Sequence, residues 1–404
     1  MLLIAAPGQG AQAPGFLSPW LDLPGFADLL ARWSPLAGCD LIRSGTVADG
    51  AEIRDTAIAQ PLLVAAGLAA ASTLLGDLGP ASRHSAATAG HAVAGHSVGE
   101  LAAGAIAGVI TADDALRLVG VRGRAMAAAA AAEPTGMTAV LGGAERAVLK
   151  SIAACGLTAA NVNGTGQIVA AGTTAQLAAF AADPPAGARL RQLSVEGAFH
   201  TRHMAAATAA LRSAAASLPA ADPVLTLLSN RDGAVVRTGA DWLERIITQV
   251  SAPVRWDLCM QAMAGLGVTA LIELPPAGTL TGLARRGLPG VQLLALKTPA
   301  DLPAARAIIA EHADGHADSH APDWRLLVAP LAGTFRVAAP GGAAAITAGA
   351  PVRTGAELGH VQMREGSHPV TPPFAATIIE WLVEDGDPVS AGQPLVRLQP
   401  DGSE

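Results

Sequence analysis

Short runs of small and apolar residues alternate with longer segments of helical periodicity from residue 1 to residue 300. The runs Leu2–Ala6, His91–Ala94 and Val268–Leu274 have the composition of buried parallel strands, and each leads into a turn rich in glycine or proline. The segment Ile58–Ala66 has the composition of an apolar helix with Pro61 at an early position. Alternating strands and helices predict an α/β fold, in which the loops after the strands meet at the edge of one sheet where ligands bind.

A change in the order of strand-like and helical segments over residues 133–196 predicts a subdomain inserted into that fold. Strand-like and helical segments follow one another there in the order β-α-β-β-α-β, which is the ferredoxin-like arrangement. The main domain is therefore predicted to occupy residues 1–132 and 197–300, followed by a helix and linker over 301–324. Within its second part, Pro253–Trp256 is predicted to begin a helix.

Short alternating segments separated by Gly, Pro and Asp turns make up residues 325–404. Two of these segments share the pattern Gly-x-Pro-Val-x-x-Gly-x-x-Leu, one beginning at Gly349 and the other at Gly386. An internal repeat of β segments predicts a small quasi-symmetric all-β domain.

Composition and charge argue against several classes of protein. The net charge is -7 and no basic cluster occurs, which argues against a nucleic-acid surface. No long apolar stretch runs without charge, Pro or Gly, so no transmembrane helix is predicted. The first residues lack the basic region of a signal peptide. The 3 cysteines are far apart, which is typical of reduced thiols in a cytoplasmic protein.

Three histidines spaced four apart suggest a metal site at first sight. The spacing could place His312, His316 and His320 on one face of a helix. Gly315 weakens a helix there, however, and the stretch lies at a change of composition. We therefore expect a solvated linker and no metal.

The pattern Gly-x-Ser-x-Gly occurs at Gly95–Gly99, between the apolar run that ends at Ala94 and a helix-compatible segment of small residues. This is the pattern of a nucleophile elbow, in which Ser97 would lie on a sharp turn from strand to helix. The N–H groups at the start of that helix could stabilise anionic charge near the serine oxygen. The alternative is a glycine-rich strand–helix turn in an ordinary doubly wound domain.

Residues in other loops and helices could face Ser97. Gln9 follows the first strand, where its side chain could either face the serine or bond to its own loop. Arg122 and Arg124 are two apart on a predicted helix, so at most one of them can point at the site. His200 lies where the chain re-enters the main domain, although a single histidine in such a loop is more often structural.

Seven segments together carry a family resemblance. They are Pro7–Gln12, Gln60–Pro61, Gly95–Glu100, Val121–Met126, Gly197–His200, Pro253–Trp256 and Thr279–Leu283. In this order they resemble the malonyl-CoA:acyl carrier protein transacylases. The resemblance implies an α/β-hydrolase-like acyltransferase core with an inserted ferredoxin-like subdomain, which agrees with the predicted order of elements.

The resemblance also implies catalytic roles. Ser97 would take the acyl group as an ester, and His200 would act first as its base and then as the acid for the leaving thiol. The main-chain N–H groups of Gln9 and Val98 would form the oxyanion hole. No cofactor takes part in this chemistry.

Substrate-binding roles are implied in the same way. Arg122 would bind the malonyl carboxylate through two parallel hydrogen bonds, which suits arginine better than lysine. Phe199 would fill the space that a 2-methyl branch needs, which disfavours methylmalonyl by about 1–3 kcal/mol. Gln60 would support the site, and His96 is expected among the substrate-binding residues. The family usually has Asn where this chain has Ala252, and the main-chain carbonyl there is expected to orient His200.

The C-terminal segment carries a second resemblance. Its matching stretches are Ala329–Phe335, Pro372–Ile378 and Val383–Val389, and they resemble biotin carboxyl carrier domains, which have a biotinyl/lipoyl-like barrel-sandwich fold. The lysine that carries biotin in the family aligns with Glu365, and no lysine follows Lys297. Neither biotin nor lipoate can therefore be attached, and the segment is expected to dock a carboxylase or synthase component or to be a passive appendage.

The resemblance implies transfer of malonyl from malonyl-CoA to acyl carrier protein, for fatty acid or polyketide synthesis. Two alternatives remain open at this point: the acyltransferase component of a malonate decarboxylase-type complex, and an acyl-thioester hydrolase. A non-enzymatic assembly protein is disfavoured because the expected positions of nucleophile, base and arginine are all filled. The expected partners are malonyl-CoA and acyl carrier protein, with no nucleic acid and no membrane.

Overall fold

The structure is a computed structural model that describes residues 1–76, 91–164, 166–195, 197–313, 325–337, 349–363 and 366–400. The chain divides into two compact units, Met1–Asp314 and Gly315–Glu404. The division falls inside the segment 301–324 that the sequence predicts as helix and linker.

Helices occur mainly in the first unit. Those of the described residues are α1 Phe26–Ala37, α2 Leu41–Thr46, α3 Thr56–Leu75, α4 Gly99–Ile106, α5 Ala112–Ala131, α6 Glu145–Ala154, α7 Thr174–Ala182, α8 Ala205–Ala215, α9 Gly239–Gln249, α10 Trp256–Gly265, α11 Thr279–Gly287 and α12 Leu302–Ala313. Short 3-10 turns lie at Ser18–Trp20, Glu52–Arg54, Arg202–Met204 and Pro299–Asp301.

Strands occur in both units. In the first unit they are β1 Leu2–Ala6, β2 Ala92–Gly95, β3 Thr135–Gly142, β4 Thr158–Gly164, β5 Gln167–Thr173, β6 Ala188–Gln192, β7 Thr226–Leu228, β8 Val235–Val236, β9 Val254–Arg255, β10 Ala270–Glu273 and β11 Gln292–Ala295. In the second unit they are β12 Arg325–Val328, β13 Gly333–Val337, β14 Pro351–Val352, β15 Gly359–Met363, β16 Gly366–Val370, β17 Ala376–Trp381, β18 Pro388–Val389 and β19 Pro394–Pro400.

The main sheet has six strands in the order β11-β10-β1-β2-β7-β8. All neighbours pair in parallel except β8, which is antiparallel to β7. Every residue of β1 and β2 is buried, as expected of a parallel sheet with covered faces. Ala6 lies opposite Gly95, so the loops that follow these two strands meet at one edge of the sheet. The predicted α/β class is confirmed.

Helix α3 lies in the core of this domain. By length and apolar composition it is the one helix among the described residues that could cross a membrane. It packs against α4 and α5 instead, and most of its side chains are buried within the protein. Asp55 caps its start, with Oδ1 accepting the N–H of Ala57 at 2.8 Å. A core helix therefore accounts for the apolar run predicted at Ile58–Ala66.

The inserted segment contributes a second sheet, of five strands in the order β6-β3-β5-β4-β9. Its elements from β3 to β6 follow the predicted order β-α-β-β-α-β. The fifth strand comes from the main domain: β9 pairs in parallel with β4, with Asn161 opposite Val254. The prediction that a helix begins at Pro253 is therefore wrong, because Val254 and Arg255 are extended to complete this sheet and α10 begins only at Trp256.

The second unit contains two four-stranded sheets, β12-β19-β17-β14 and β16-β15-β13-β18. All pairs within them are antiparallel. One apolar cluster surrounds Phe335 and another surrounds Ile378. The sequence repeat places Pro351–Val352 and Pro388–Val389 in corresponding strands, one at the edge of each sheet.

Candidate active site

Ser97 lies on a sharp turn between β2 and α4. Its φ of 53° is in the left-handed region, which is unfavourable for a residue with a side chain. The two glycines of the pattern let the backbone cross itself there. A Cβ on Gly95 would lie 2.0 Å from the carbonyl carbon of Gly99, and a Cβ on Gly99 would lie 2.2 Å from the main-chain oxygen of Ala6. The turn thus has the geometry expected of a nucleophile elbow.

Asn230, just after β7, holds this turn in place. Its side-chain oxygen accepts the N–H of Ser97 at 2.7 Å, and its side-chain nitrogen donates to the main-chain oxygen of Gly95 at 2.7 Å. Its own main-chain N–H donates to Oε1 of Glu100 at 2.8 Å. Asn230 is fully buried, so these bonds are shielded from water and cannot be replaced by it. One side chain therefore fixes both arms of the turn.

His200 lies against the hydroxyl of Ser97. Its Nε2 is 2.7 Å from Ser97 Oγ, and its Nδ1 is 2.8 Å from the main-chain oxygen of Gln249. A carbonyl oxygen can only accept, so the ring proton lies on Nδ1 and Nε2 is free to accept the serine proton. The pair has the geometry of a nucleophile and its general base.

The environment of His200 keeps its ring neutral. Burial and, to a lesser extent, the nearby charge of Arg122 lower the pKa of His200 to about 3, although the hydrogen bond to Gln249 opposes the shift. A neutral imidazole is the form that can take a proton from the serine.

Arg122 brings a cation to the same place. It is 1% exposed, and its Nη2 lies 3.4 Å from Ser97 Oγ. Its other partners are neutral amide oxygens, Oε1 of Gln60 at 2.6 Å and Oε1 of Gln249 at 3.0 Å. Among the described residues, no carboxylate forms an ion pair with Arg122. Burial lowers the pKa of this guanidinium to about 10, with Glu100 opposing the shift, so it stays charged near neutral pH.

The loop after β1 packs beside the turn. A Cβ on Gly8 would lie 2.8 Å from Nδ1 of His96, so this glycine permits the close approach. The side chain of Gln9 points away from its own loop and donates to Oγ1 of Thr56 at 3.2 Å and to the main-chain oxygen of Arg54 at 3.4 Å. These bonds match neither expectation from the sequence, which had the Gln9 side chain either facing Ser97 or bonded within its own loop.

His96 connects the turn to the inserted sheet. Its Nε2 lies 2.9 Å from Oδ1 of Asn163 on β4, and its ring is 5.6 Å from that of Trp256. Burial lowers the pKa of His96, and the bond to Asn163 opposes the shift. Phe199, next to the base, is also buried.

A cavity of about 770 Å³ opens near Gln9. Its walls include Arg54 and Thr56, the two partners of the Gln9 side chain, together with Ala127 and Ala130 of α5 and the segment 192–195 after β6. The cavity therefore lies between the main domain and the inserted subdomain and is large enough for an extended small-molecule chain.

Metal-binding clusters are absent from the described part of the chain: no group of three or more His, Cys, Asp or Glu residues could hold an ion. His312 bonds instead to Thr269 at 3.0 Å and to the main-chain oxygen of Ile308 at 2.8 Å. His316 and His320 lie outside the described residues.

Comparison with known proteins decides the family. Residues 6–304 match the model of the acyl transferase domain. The malonyl CoA-acyl carrier protein transacylase of Mycobacterium tuberculosis is 54% identical over 302 residues, which cover 75% of this chain and 98% of that protein. The chain belongs to the malonyl-CoA:acyl carrier protein transacylase family.

Solved structures agree with this assignment. The crystal structure of MCAT from Mycobacterium tuberculosis superposes with a TM-score of 0.71 at 53% identity, covering 76% of this chain and 99% of that one. A transacylase in complex with a type II polyketide synthase acyl carrier protein gives a TM-score of 0.68 at 27% identity, covering 76% and 99%. The resemblance seen in the first three quarters of the sequence is therefore confirmed.

The structure of this transacylase brings both His200 and Arg122 within hydrogen-bond distance of Ser97 Oγ. His200 Nδ1 lies 2.8 Å from the main-chain oxygen of Gln249, at the end of α9, and the main chain of Ala252, whose carbonyl was expected to orient His200, also forms a hydrogen bond that raises the pKa of His200. The side chain at position 252 therefore makes no difference to that bond. Of the two arginines, Arg122 faces the site, and Arg124 is exposed with a bond to the main-chain oxygen of Ala37.

Sequence reasoning missed Asn230 and Gln249 altogether. Neither lies in a motif that indicates a site, and both reach Ser97 or its partners through contacts distant in sequence. Glu100 was included in the matching segment Gly95–Glu100 without a role, although its carboxylate contacts both of these residues.

Proposed function

We propose that this protein transfers a malonyl group from malonyl-CoA to the phosphopantetheine thiol of an acyl carrier protein, supplying fatty acid or polyketide synthesis. The observation that carries the proposal is the position of Arg122. A buried guanidinium that forms no ion pair with a carboxylate of the described residues, 3.4 Å from the nucleophile hydroxyl, has its charge available for an anionic acyl group. The names of the relatives support the same substrates.

The first half-reaction loads the serine. His200 Nε2 takes the proton as Ser97 Oγ attacks the thioester carbonyl, and the main-chain N–H groups of Gln9 and Val98 hold the oxyanion, each such donor being worth about 3 kcal/mol. The C–S bond then breaks, and His200 returns the proton to the coenzyme A sulfur. The product is a malonyl ester on Ser97.

The second half-reaction repeats these steps in reverse with a new thiol. His200 accepts the proton of the phosphopantetheine thiol, the sulfur attacks the ester carbonyl, and Ser97 Oγ leaves and regains a proton from His200. The cavity beside Gln9 provides the path for the pantetheine chain. Exchange of one thioester for another is nearly thermoneutral, so the reaction is reversible.

Acyl selection rests on residues around the ester. Arg122 binds the free carboxylate of the malonyl group, and Gln60 holds the guanidinium in place through Oε1. Phe199 restricts a branch at the 2-position. His96, fixed by Asn163, lines the site from the side of the inserted subdomain.

The second unit has a different role. We infer a biotinyl/lipoyl-like fold that carries no cofactor, supported by the two antiparallel four-stranded sheets and the sequence repeat. Met363 of β15 pairs with Gly366 of β16, and the two residues between them, Arg364 and Glu365, lie outside the described residues. Because biotin and lipoate are attached to a lysine amine and no lysine follows Lys297, this unit carries neither group. We infer that it docks a carboxylase or synthase component, with a passive appendage as the alternative. We infer that the protein acts in the cytoplasm, where soluble acyl-CoA and carrier-protein substrates would reach the site.

Intact-mass measurement tests the proposal. Incubation with malonyl-CoA is expected to add the mass of one malonyl group to the wild type and none to Ser97→Ala. Addition of a holo acyl carrier protein is then expected to move that mass to the carrier. Release of free malonate without transfer would favour an acyl-thioester hydrolase instead, and absence of any adduct on the wild type would refute the proposed function.

A further inference from the structure

We propose that Glu100 is a positioning residue for acyl selection, which holds the guanidinium of Arg122 in its working orientation through the side chain of Gln249. This inference rests on the proposed function, because it concerns the group that binds the malonyl carboxylate. It assigns to Glu100 and to the Gln249 side chain a role apart from the main-chain contact that orients His200.

Glu100 is placed to act on two donors at once. It is the second residue of α4 and is 2% exposed. Its Oε1 accepts the main-chain N–H of Asn230 at 2.8 Å, and its Oε2 accepts from Nε2 of Gln249. Both oxygens of the carboxylate are therefore occupied by donors whose positions are fixed by neighbouring elements.

The side-chain amide of Gln249 has only one useful orientation. A guanidinium can only donate, so Arg122 requires the oxygen of that amide, which it contacts at 3.0 Å. The amide nitrogen must then face acceptors, and it faces Glu100 and, at 3.4 Å, Oδ1 of Asn230. Glu100 thus determines which end of the amide Arg122 meets.

The arrangement also leaves the donors of Arg122 free for a substrate. Burial raises the pKa of Glu100 to about 8, while the Asn230 N–H and the charge of Arg122 favour its ionised form. A carboxylate in direct contact with Arg122 would compete with the substrate for the same donors. Separated from the guanidinium by one amide, Glu100 orients Gln249 and leaves the guanidinium free to bind a malonyl carboxylate.

The Glu100→Gln variant tests this role. A glutamine at position 100 has one acceptor oxygen where the carboxylate has two, so either Asn230 or Gln249 must face a second donor. Rotation of the Gln249 amide would turn its nitrogen toward Arg122. We expect the ratio of kcat/KM for malonyl-CoA to that for acetyl-CoA to fall by about tenfold or more, as for loss of one hydrogen bond to a charged group, through a rise in KM for malonyl-CoA.

Two further variants make the result decisive. Glu244→Gln makes the same chemical change at an exposed carboxylate paired with Arg212, and it is expected to leave the ratio unchanged. Gln249→Met keeps Glu100 and removes the connecting amide, so it is expected to lower the ratio in the same way; it replaces Glu100→Gln as the test if that variant does not fold.

The outcomes separate this inference from the proposed function. A Glu100→Gln enzyme that loses malonyl and acetyl transfer in equal proportion, with the wild-type ratio preserved, would overturn the positioning role. If Arg122→Ala itself keeps the wild-type ratio, the carboxylate-binding role of Arg122 fails first, and the proposed function fails with it.

Discussion

The main-chain oxygen of Gln249 accepts the Nδ1 proton of His200 at 2.8 Å, while the side-chain oxygen of Gln249 accepts from Arg122 at 3.0 Å. One residue therefore orients both the base and the cation of the site. The two groups perform different tasks, one moving a proton and the other recognising an acyl group. Their common support keeps both aligned with the hydroxyl of Ser97.

Arg122→Ala should change which acyl group is transferred. Loss of the guanidinium removes the partner of the malonyl carboxylate and leaves space beside Ser97 that does not require a charged acyl group. We expect malonyl transfer to fall by about 10- to 100-fold, as for loss of a hydrogen bond to a charged group, with a gain in acetyl transfer. Transfer assays with both acyl-CoA substrates measure this. Equal losses with both would contradict the assigned role.

The depressed pKa of His200 has a consequence for stability. Its folded value is about 3 against an ordinary value of 6.5, so between these pH values the unfolded chain binds a proton that the folded protein does not. The contribution is fully present above pH 6.5 and is lost as the pH falls toward 3. Urea unfolding at several pH values is expected to show a shallower acid-side decline for His200→Gln than for the wild type. His368→Gln, at an exposed histidine of the second unit, is the control and is expected to decline as the wild type does. An equal acid-side decline for the wild type and His200→Gln would argue against the lowered pKa of His200.

The same shift predicts the pH dependence of acylation. Because His200 is already neutral at pH 6, the rate of malonyl-serine formation is expected to show no decline around the ordinary histidine pKa of 6.5. Single-turnover loading measured by intact mass between pH 5 and pH 8 tests this. A rate that halves near pH 6.5 would show that His200 titrates normally.

Gly99→Ala should disrupt the nucleophile turn. The new Cβ would lie 2.2 Å from the main-chain oxygen of Ala6, which is held in β1 and cannot move away. We expect a loss of about 1–3 kcal/mol in the free energy of unfolding together with loss of serine acylation. Gly282→Ala in α11 is the matched control, because no atom lies within 4 Å of its added Cβ. Normal acylation by the Gly99 variant would mean that the turn tolerates the contact.

Asn230→Ala should lower kcat, although Asn230 is distant in sequence from the Gly-x-Ser-x-Gly motif. The change leaves the Ser97 N–H and the Gly95 carbonyl without their buried partner, at a cost of about 1–3 kcal/mol each in stability. The left-handed backbone of Ser97 would relax, so kcat is expected to fall while KM changes little. An unchanged kcat would show that the glycines alone hold the turn.

Deletion of the chain after Pro322 should leave transfer activity intact. The transacylase of Mycobacterium tuberculosis is covered over 98% of its length by the first three quarters of this chain, and the first unit contains every residue of the site. Transfer assays on the truncated and full-length proteins, with the same carrier protein, test this. A collapse of activity would refute the view that the second unit acts only as a docking module.

The sequence was sufficient for those parts of the site that local patterns encode. The elbow at Ser97 follows from glycine spacing between a strand and a helix. Helix geometry allows only one of Arg122 and Arg124 to face the site, and the family resemblance identified Arg122 as that residue. Asn230 and Gln249 could not be predicted in this way, because each acts through contacts more than a hundred residues away along the chain. The two residues of β9 were assigned to a helix because only the distant strand β4 makes them extended.

The pairing of β9 with β4 also has a mechanical consequence. Gln249, which accepts hydrogen bonds from His200 and Arg122, precedes β9 by only a few residues. Asn163, which bonds to His96, lies near the end of β4. The inserted subdomain is thus hydrogen-bonded to the strand that follows Gln249. A displacement of β4 relative to the main domain would therefore move β9, only a few residues from the Gln249 contacts with His200 and Arg122.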